Sequence, residues 1–108
     1  MSDLVTDVKS LELETLKNLK SSKASNTLRA YKADYKDFAS FCIKNGFKPM
    51  PSEPKVLSLY LTYLSKLSKF STLKRRLASI SVIHRISGHY IDTKHPMITE
   101  NLMGIKRV

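Results

Sequence analysis

The sequence predicts an all-α protein folded as a compact bundle of four to five helices. Apolar side chains recur at spacings of three and four residues in several separate segments, which places them on one face of a helix. Glycine and proline, the residues that interrupt helices, number only 3 and 4 among 108 residues. Hydrophobic residues make up 42% of the chain, an ordinary share for a folded domain, and the length is that of one domain.

Two helices are predicted in the first half of the chain. Leucines at positions 11, 13, 16 and 19 indicate a short helix over about 10–20, within an acidic N-terminal segment 1–22. Residues 21–25 indicate a linker, so we assign 23–108 to a separate helical domain. The next helix runs from about Asn26 to Lys44 and ends at Asn45-Gly46, with an apolar stripe formed by Leu28, Tyr31, Tyr35, Phe38 and Cys42.

Three more helices are predicted in the second half of the chain. Ser52 is placed to cap a helix that begins at Glu53-Pro54 and runs to about Leu67. A central helix follows, capped by Ser71 or Thr72 and ended by Gly88. A last helix spans about 96–107, and because the chain ends there we expect further protein to follow. The residues expected in a common core are Tyr35, Phe38, Leu61, Leu64, Leu77 and Ile80, with His84 on the same side of the central helix.

The charge of the chain favours a polyanionic partner. Lysine and arginine number 19 against 9 acidic residues, a net charge of +10. Residues 1–16 hold four of the acids and one lysine, so the predicted helical domain is more basic than the whole chain. A basic globule is a stronger indication of a nucleic-acid surface than a basic tail.

Several functional classes find no support in the sequence. Cys42 is the single cysteine, which excludes an internal disulfide and suits the cytoplasm. The N-terminus lacks a signal peptide, and no run of residues is apolar enough to span a membrane. No glycine-rich phosphate loop, metal-ligand spacing or catalytic arrangement is visible, so we predict no cofactor, no metal, no small-molecule substrate and no catalytic residue in this chain.

The start of the central helix contains an electrostatic conflict. Lys74, Arg75 and Arg76 crowd what the sequence predicts to be its first turn, where the helix dipole disfavours cations. A phosphate beside the helix start resolves the conflict, because it accepts hydrogen bonds from the free N–H groups and from the basic side chains. The ordinary alternative is a solvated basic turn with no partner. The same two interpretations apply to Arg29 and the lysines that follow it on the earlier helix.

Four segments, in order, resemble one known family. They are SNTLRAYKADYKDFASFC at 25–42, PSEP at 51–54 with YLTYL at 60–64, STLKRRLASI at 71–80 with HRISG at 84–88, and the closing GIKR at 104–107. Together they resemble the N-terminal core-binding domain of tyrosine recombinases, the phage-integrase family, over about residues 23–108. The resemblance implies a SAM-like helical bundle that forms half of a clamp around double-stranded DNA. It also implies that the catalytic residues lie in a C-terminal domain absent from this chain, so the chain itself is expected not to cut or join DNA.

In this family two helices lie against the DNA, and they match residues 26–44 and 71–86 here. The expected DNA-binding residues are Thr27, Arg29, Lys32, Lys36, Ser71, Thr72, Lys74, Arg75, Arg76 and Ser79. Arg75 is expected to reach a base edge and Arg76 a phosphate. The resemblance also implies a bacterial or phage-type, nucleoid-associated protein whose complete form assembles as a homo-oligomer on DNA.

Two other functions fit part of the sequence. A stand-alone helix-turn-helix regulator is the first alternative, with Ser68–Phe70 as its turn, although this turn lacks the usual glycine. A basic helical adaptor for acidic proteins is the second. The two DNA-binding functions predict a preference for duplex DNA over an acidic peptide, and the adaptor predicts none.

Overall fold

A computed structural model describes residues 7–22 and 25–108, with side chains described from 7 to 18 and from 26 to 108. It contains five helices: α1 (Val8–Ser22), α2 (Ser25–Lys44), α3 (Pro54–Ser65), α4 (Phe70–Ile86) and α5 (Pro96–Arg107). The described residues include no strand, and the all-α prediction is confirmed. Positions 1–6, the side chain of Leu19 and part of the predicted 21–25 linker lie outside the described residues.

The bundle is built around two helix pairs. The most extensive contact is between α2 and α4, followed by the contact between α3 and α5, and α3 also packs against both α2 and α4. The core between them contains residues from every helix except α1, including Phe38, Leu61, Leu64, Leu77 and Ile80. All of the predicted core residues are buried except Tyr35, which is half-buried at the edge of the core.

Two predicted helix caps are wrong. The N-cap of α3 is Glu53 rather than Ser52, and the N-cap of α4 is Lys69 rather than Ser71 or Thr72; neither cap residue makes a side-chain capping hydrogen bond. The hydroxyl of Ser52 instead donates to the Glu53 carbonyl at 3.2 Å. Because α4 begins at Phe70, its three consecutive cations lie in the second turn and not at the helix start. The dipole conflict predicted from the sequence is therefore weaker than it looked, since the dipole effect falls off within the first turn.

His84 joins α4 to the loop that precedes α3. Its side chain is fully buried, its Nε2 accepts a hydrogen bond from the Ser52 backbone N–H at 3.0 Å, and its Nδ1 lies 2.9 Å from the Ile80 carbonyl oxygen. These partners fit a neutral ring that carries its proton on Nδ1. Burial lowers the pKa of His84 below its ordinary value of 6.5. The prediction that His84 lies on the core side of the central helix is thus confirmed.

We expect the free energy of unfolding to fall as the pH drops below 6.5, the ordinary pKa of histidine. Near that pH the unfolded chain takes up a proton at His84 and the folded protein, with its lowered pKa, does not, so protons favour unfolding. The contribution of His84 is complete above the unfolded-state pKa and is lost as the pH falls toward the folded-state pKa. Urea unfolding between about pH 5 and pH 8 measures this dependence.

His84→Gln is the comparison variant for the pH experiment, because a glutamine side chain takes up no proton. It should flatten the profile between about pH 5 and pH 6.5. A wild-type profile without slope in this range contradicts the prediction, as does an unchanged slope in His84→Gln.

Candidate nucleic-acid interface

The predicted DNA-binding residues fall on α2 and α4, the two helices that share the largest contact in the bundle. Arg76 of α4 lies opposite Asp37 of α2, and Ser79, three residues later, lies opposite Asp34, three residues earlier. The two helices therefore run in opposite directions across this contact. We call the sides of these two helices that are turned away from the core the α2/α4 face.

Asp34 lies at the centre of the α2–α4 contact and organises its polar part. The residue is only 7% exposed, and its Oδ2 accepts a hydrogen bond from the Ser79 hydroxyl at 2.7 Å. Its Oδ1 accepts a longer one from Arg75 Nη2 at 3.3 Å. A buried carboxylate is stable only when such donors compensate for its lost hydration, and Asp34 has them on α4.

Ser79, one of the predicted DNA-binding residues, is buried. Its side chain is 1% exposed because α2 covers it, and its hydroxyl is engaged with Asp34 and the Arg75 carbonyl. The sequence placed Ser79 away from the apolar stripe of α4, which is correct. At Ser79, however, the side of α4 away from the stripe is covered by α2 and does not meet solvent.

Arg76 is held inside the α2–α4–α3 junction. Its Nη1 donates to Asp37 Oδ2 at 2.6 Å and to the Tyr60 hydroxyl at 3.0 Å, and its Nε lies 3.7 Å from Asp34. The side chain is 22% exposed. Burial on its own lowers the pKa of Arg76, but the hydrogen bond to Tyr60 and the two carboxylates outweigh burial and raise it. Arg76 thus joins three helices, and its Nη1 is already committed to protein partners rather than to phosphate.

Arg75 is placed very differently from its neighbour. Its side chain is 59% exposed, and the bond to Asp34 engages only one of its terminal nitrogens. In an ideal helix with about 100° per residue, Arg75 points within about 10° of the direction opposite to the buried stripe of α4. Ser71 is exposed on the same side, one turn earlier. The outward surface of α4 is therefore centred on Arg75.

The three cations of α2 are all exposed and lie together on one flank of the helix, the flank away from α4. The outward direction of α2 is the one opposite to its buried stripe. In an ideal helix Arg29 points about 40° from this outward direction, Lys36 about 60° and Lys32 about 100°. Arg29 and Lys36 thus belong to the α2/α4 face. Lys32 lies at its edge, on the side of α2 away from α4, and Lys74 lies at the opposite edge, on the side of α4 away from α2.

The two threonines at the helix starts are not brought together. Thr27 lies seven residues before Asp34, and Thr72 lies seven residues before Ser79. Because α2 and α4 run in opposite directions, the two threonines lie on opposite sides of the Asp34–Ser79 pair. Each is about 10 Å from that pair along its own helix. Both side chains are half-buried. A single DNA contact region cannot be centred on both.

The sequence analysis missed Asp34, Asp37 and Tyr60 as partners of the basic residues. The Tyr60 hydroxyl donates to Asp37 Oδ2 at 2.6 Å, and burial together with this hydrogen bond raises the pKa of Tyr60. A signal was present in the sequence, since two acids spaced three apart on one helix complement two consecutive arginines on another. Pairing them requires knowing that the two helices are adjacent.

The described residues also bear on other kinds of site. Over the described part of the chain, no three histidine, cysteine, aspartate or glutamate side chains are grouped to hold a metal ion. None of the helices in that part has the length and apolar character needed to cross a membrane. Cys42 is fully buried, and burial raises the pKa of its thiol to about 11, which agrees with its predicted role as a core residue.

This basic helical domain is similar in sequence to a known recombinase. No family model matches the chain. A curated protein, the integrase/recombinase xerD homolog of Selenomonas ruminantium, is 33% identical over 100 residues, which is 90% of this chain. The resemblance drawn from the sequence is thereby confirmed: the chain is similar to an integrase/recombinase over nearly its whole length. The chain spans 29% of the length of this relative.

Proposed function

We propose that this chain is the DNA-binding, core-binding domain of a site-specific tyrosine recombinase. The observation that carries the proposal is the α2/α4 face, which presents the exposed cations Arg29 and Lys36 on α2 and Arg75 on α4. The net charge of +10 and the relationship to an integrase/recombinase support the same function. Double-stranded DNA is the proposed partner.

The residues of this face divide by the contact that each is suited to make. The lysines, Lys36 and the edge residues Lys32 and Lys74, present flexible point charges that suit phosphate oxygens. Arg75 presents a planar fork of donors, which matches the paired acceptors of a guanine in the major groove. Thr27, Ser71 and Thr72 add hydroxyl donors at the ends of the two helices. Arg76 acts indirectly, by holding α4 against α2 and α3.

The catalytic activity is proposed for the complete protein and not for this chain. Strand cleavage and rejoining require residues that the resemblance places in a C-terminal domain. The complete protein is proposed to act as a homo-oligomer on DNA in the cytoplasm, associated with the nucleoid. The domain described here then supplies one half of a clamp around the recombination site.

The helix-turn-helix alternative has one supporting observation. Residues 66–69 connect α3 to α4, which is the length of the turn in that motif. The packing favours the recombinase domain instead, because the main partner of α4 is α2 rather than α3.

Lys36→Ala tests the proposed face. We expect this change to weaken binding to a mixed-sequence duplex by up to about tenfold at low salt and to lower the slope of log affinity against log salt by about one unit, the effect of losing one phosphate contact. Fluorescence anisotropy with a labelled duplex of about 30 base pairs measures both quantities.

Lys55→Ala is the matched control, because Lys55 is an exposed lysine on α3, outside the α2/α4 face. It removes the same charge and should leave the salt slope unchanged. Equal effects of the two substitutions would mean that binding reflects net charge alone. Failure of the wild-type chain to bind duplex DNA in low salt would refute the proposed function.

A further inference from the structure

We infer that Asp34 is a positioning residue that aims the Arg75 guanidinium at a base pair and thereby sets part of the sequence preference of the domain. This inference rests on the proposed function and assigns a role to a buried acid at the centre of the DNA-binding face. The acid itself is only 7% exposed, so it acts through Arg75 and not by touching the duplex.

The first argument concerns the carboxylate, which is fixed before any DNA arrives. Ser79 donates to its Oδ2 at 2.7 Å, and Ser79 is itself 1% exposed and rigidly placed by the α2–α4 contact. The Nε of Arg76, 3.7 Å from Oδ1, adds a positive charge from a side chain that Asp37 holds in place. Asp34 therefore offers Arg75 an acceptor whose position does not depend on solvent.

The second argument concerns what remains free on Arg75. Asp34 engages Nη2 at 3.3 Å, which leaves Nη1 and Nε without a side-chain partner among the described residues. The side chain is 59% exposed and stands at the centre of the outward side of α4. An arginine held at one nitrogen and open at the others loses less conformational entropy on binding, and its planar fork can be presented in one orientation.

The third argument separates the two neighbouring acids. Asp37 lies three residues after Asp34 on the same helix, but it pairs with Arg76 at 2.6 Å and with the Tyr60 hydroxyl. It contacts the arginine that faces the interior, whereas Asp34 contacts the one that faces outward. The two carboxylates therefore have different roles: Asp37 stabilises the helix junction, and Asp34 orients a side chain at the proposed interface.

The test is a double-mutant cycle on sequence preference. The wild-type chain is first used to select binders from a duplex library with a randomised central segment, which yields a preferred duplex. The base pair at which Arg75→Ala loses this preference is the one assigned to Arg75. Asp34→Asn and Arg75→Ala are then compared on the preferred duplex and on variants of that base pair. An asparagine retains the shape but replaces one of the two carboxylate oxygens with an NH₂ donor, so it cannot accept at both the Ser79 and the Arg75 position.

Both substitutions should reduce discrimination at the same base pair by between about 5-fold and 100-fold, the range for one bidentate base contact. In the Arg75→Ala background, Asp34→Asn should cause no further loss of discrimination, because the residue through which it acts is gone. Asp37→Asn is the matched control: it makes the same change in net charge within the same helix contact and should leave discrimination unchanged.

Unfolding measured for every variant separates positioning from loss of structure, since a merely structural role lowers stability without changing preference at one base pair. Unchanged discrimination in Asp34→Asn, or an equal loss in Asp37→Asn, would overturn the inference while leaving the proposed function intact. A wild-type chain that binds no duplex would overturn the proposed function, and the inference with it.

Discussion

Phe38→Ala is expected to lower the free energy of unfolding by about 3–5 kcal/mol. Phe38 is fully buried and packs edge to face against Tyr60, with ring centroids 5.1 Å apart, and against Tyr35 at 6.3 Å. Truncation removes the buried ring and leaves a cavity that the surrounding helices fill only in part. Since domains of this kind are stable by about 5–15 kcal/mol, the variant should lie close to the threshold of unfolding.

The measurement is urea unfolding followed by circular dichroism. Ile43→Ala is the control, because Ile43 lies on the same helix and its side chain is 70% exposed. It should cost less than about 0.5 kcal/mol, as surface substitutions do. A loss below about 1 kcal/mol for Phe38→Ala would mean that the ring is not part of the packed core.

The second large effect is expected from removing three cations of the α2/α4 face together. The variant with Arg29, Lys36 and Arg75 replaced by alanine should bind a mixed-sequence duplex roughly 100-fold more weakly at about 0.1 M salt, and its salt slope should fall by about two to three units. Each lost phosphate contact removes the release of about one counterion, so losing Arg29 and Lys36 lowers the slope by about two units, and Arg75, proposed to read a base, adds at most about one more.

A second triple variant controls for charge. Replacing Lys48, Lys55 and Lys94 with alanine removes three exposed lysines outside α2 and α4 and lowers the net charge from +10 by the same amount. Its salt slope should stay near that of the wild type. If both triple variants lose affinity equally, the basic character of the chain attracts DNA without a defined face.

Local chemistry made the helices of this protein predictable. The last helix was predicted over 96–107 and lies at Pro96–Arg107, because Pro96 opens it and the apolar spacing continues to its end. Gly46 and Gly88, which were predicted to end helices, adopt positive φ angles of 77° and 89° that other residues reach at a cost. The burial of Cys42 and His84 also follows from helical spacing, since both lie on the apolar stripe of their helix.

The roles of the polar residues were decided by the tertiary structure. The sequence gives Arg75 and Arg76 equal charge, yet one is 59% exposed and the other 22%, because only Arg76 points into the junction with Asp37 and Tyr60. Ser79 lies off the apolar stripe of α4 and is still buried, because a carboxylate 45 positions earlier in the chain reaches it. Helical spacing fixes which side of its own helix a residue occupies. Whether that side meets solvent, DNA or another helix depends on contacts between segments far apart in sequence, and no local pattern encodes them.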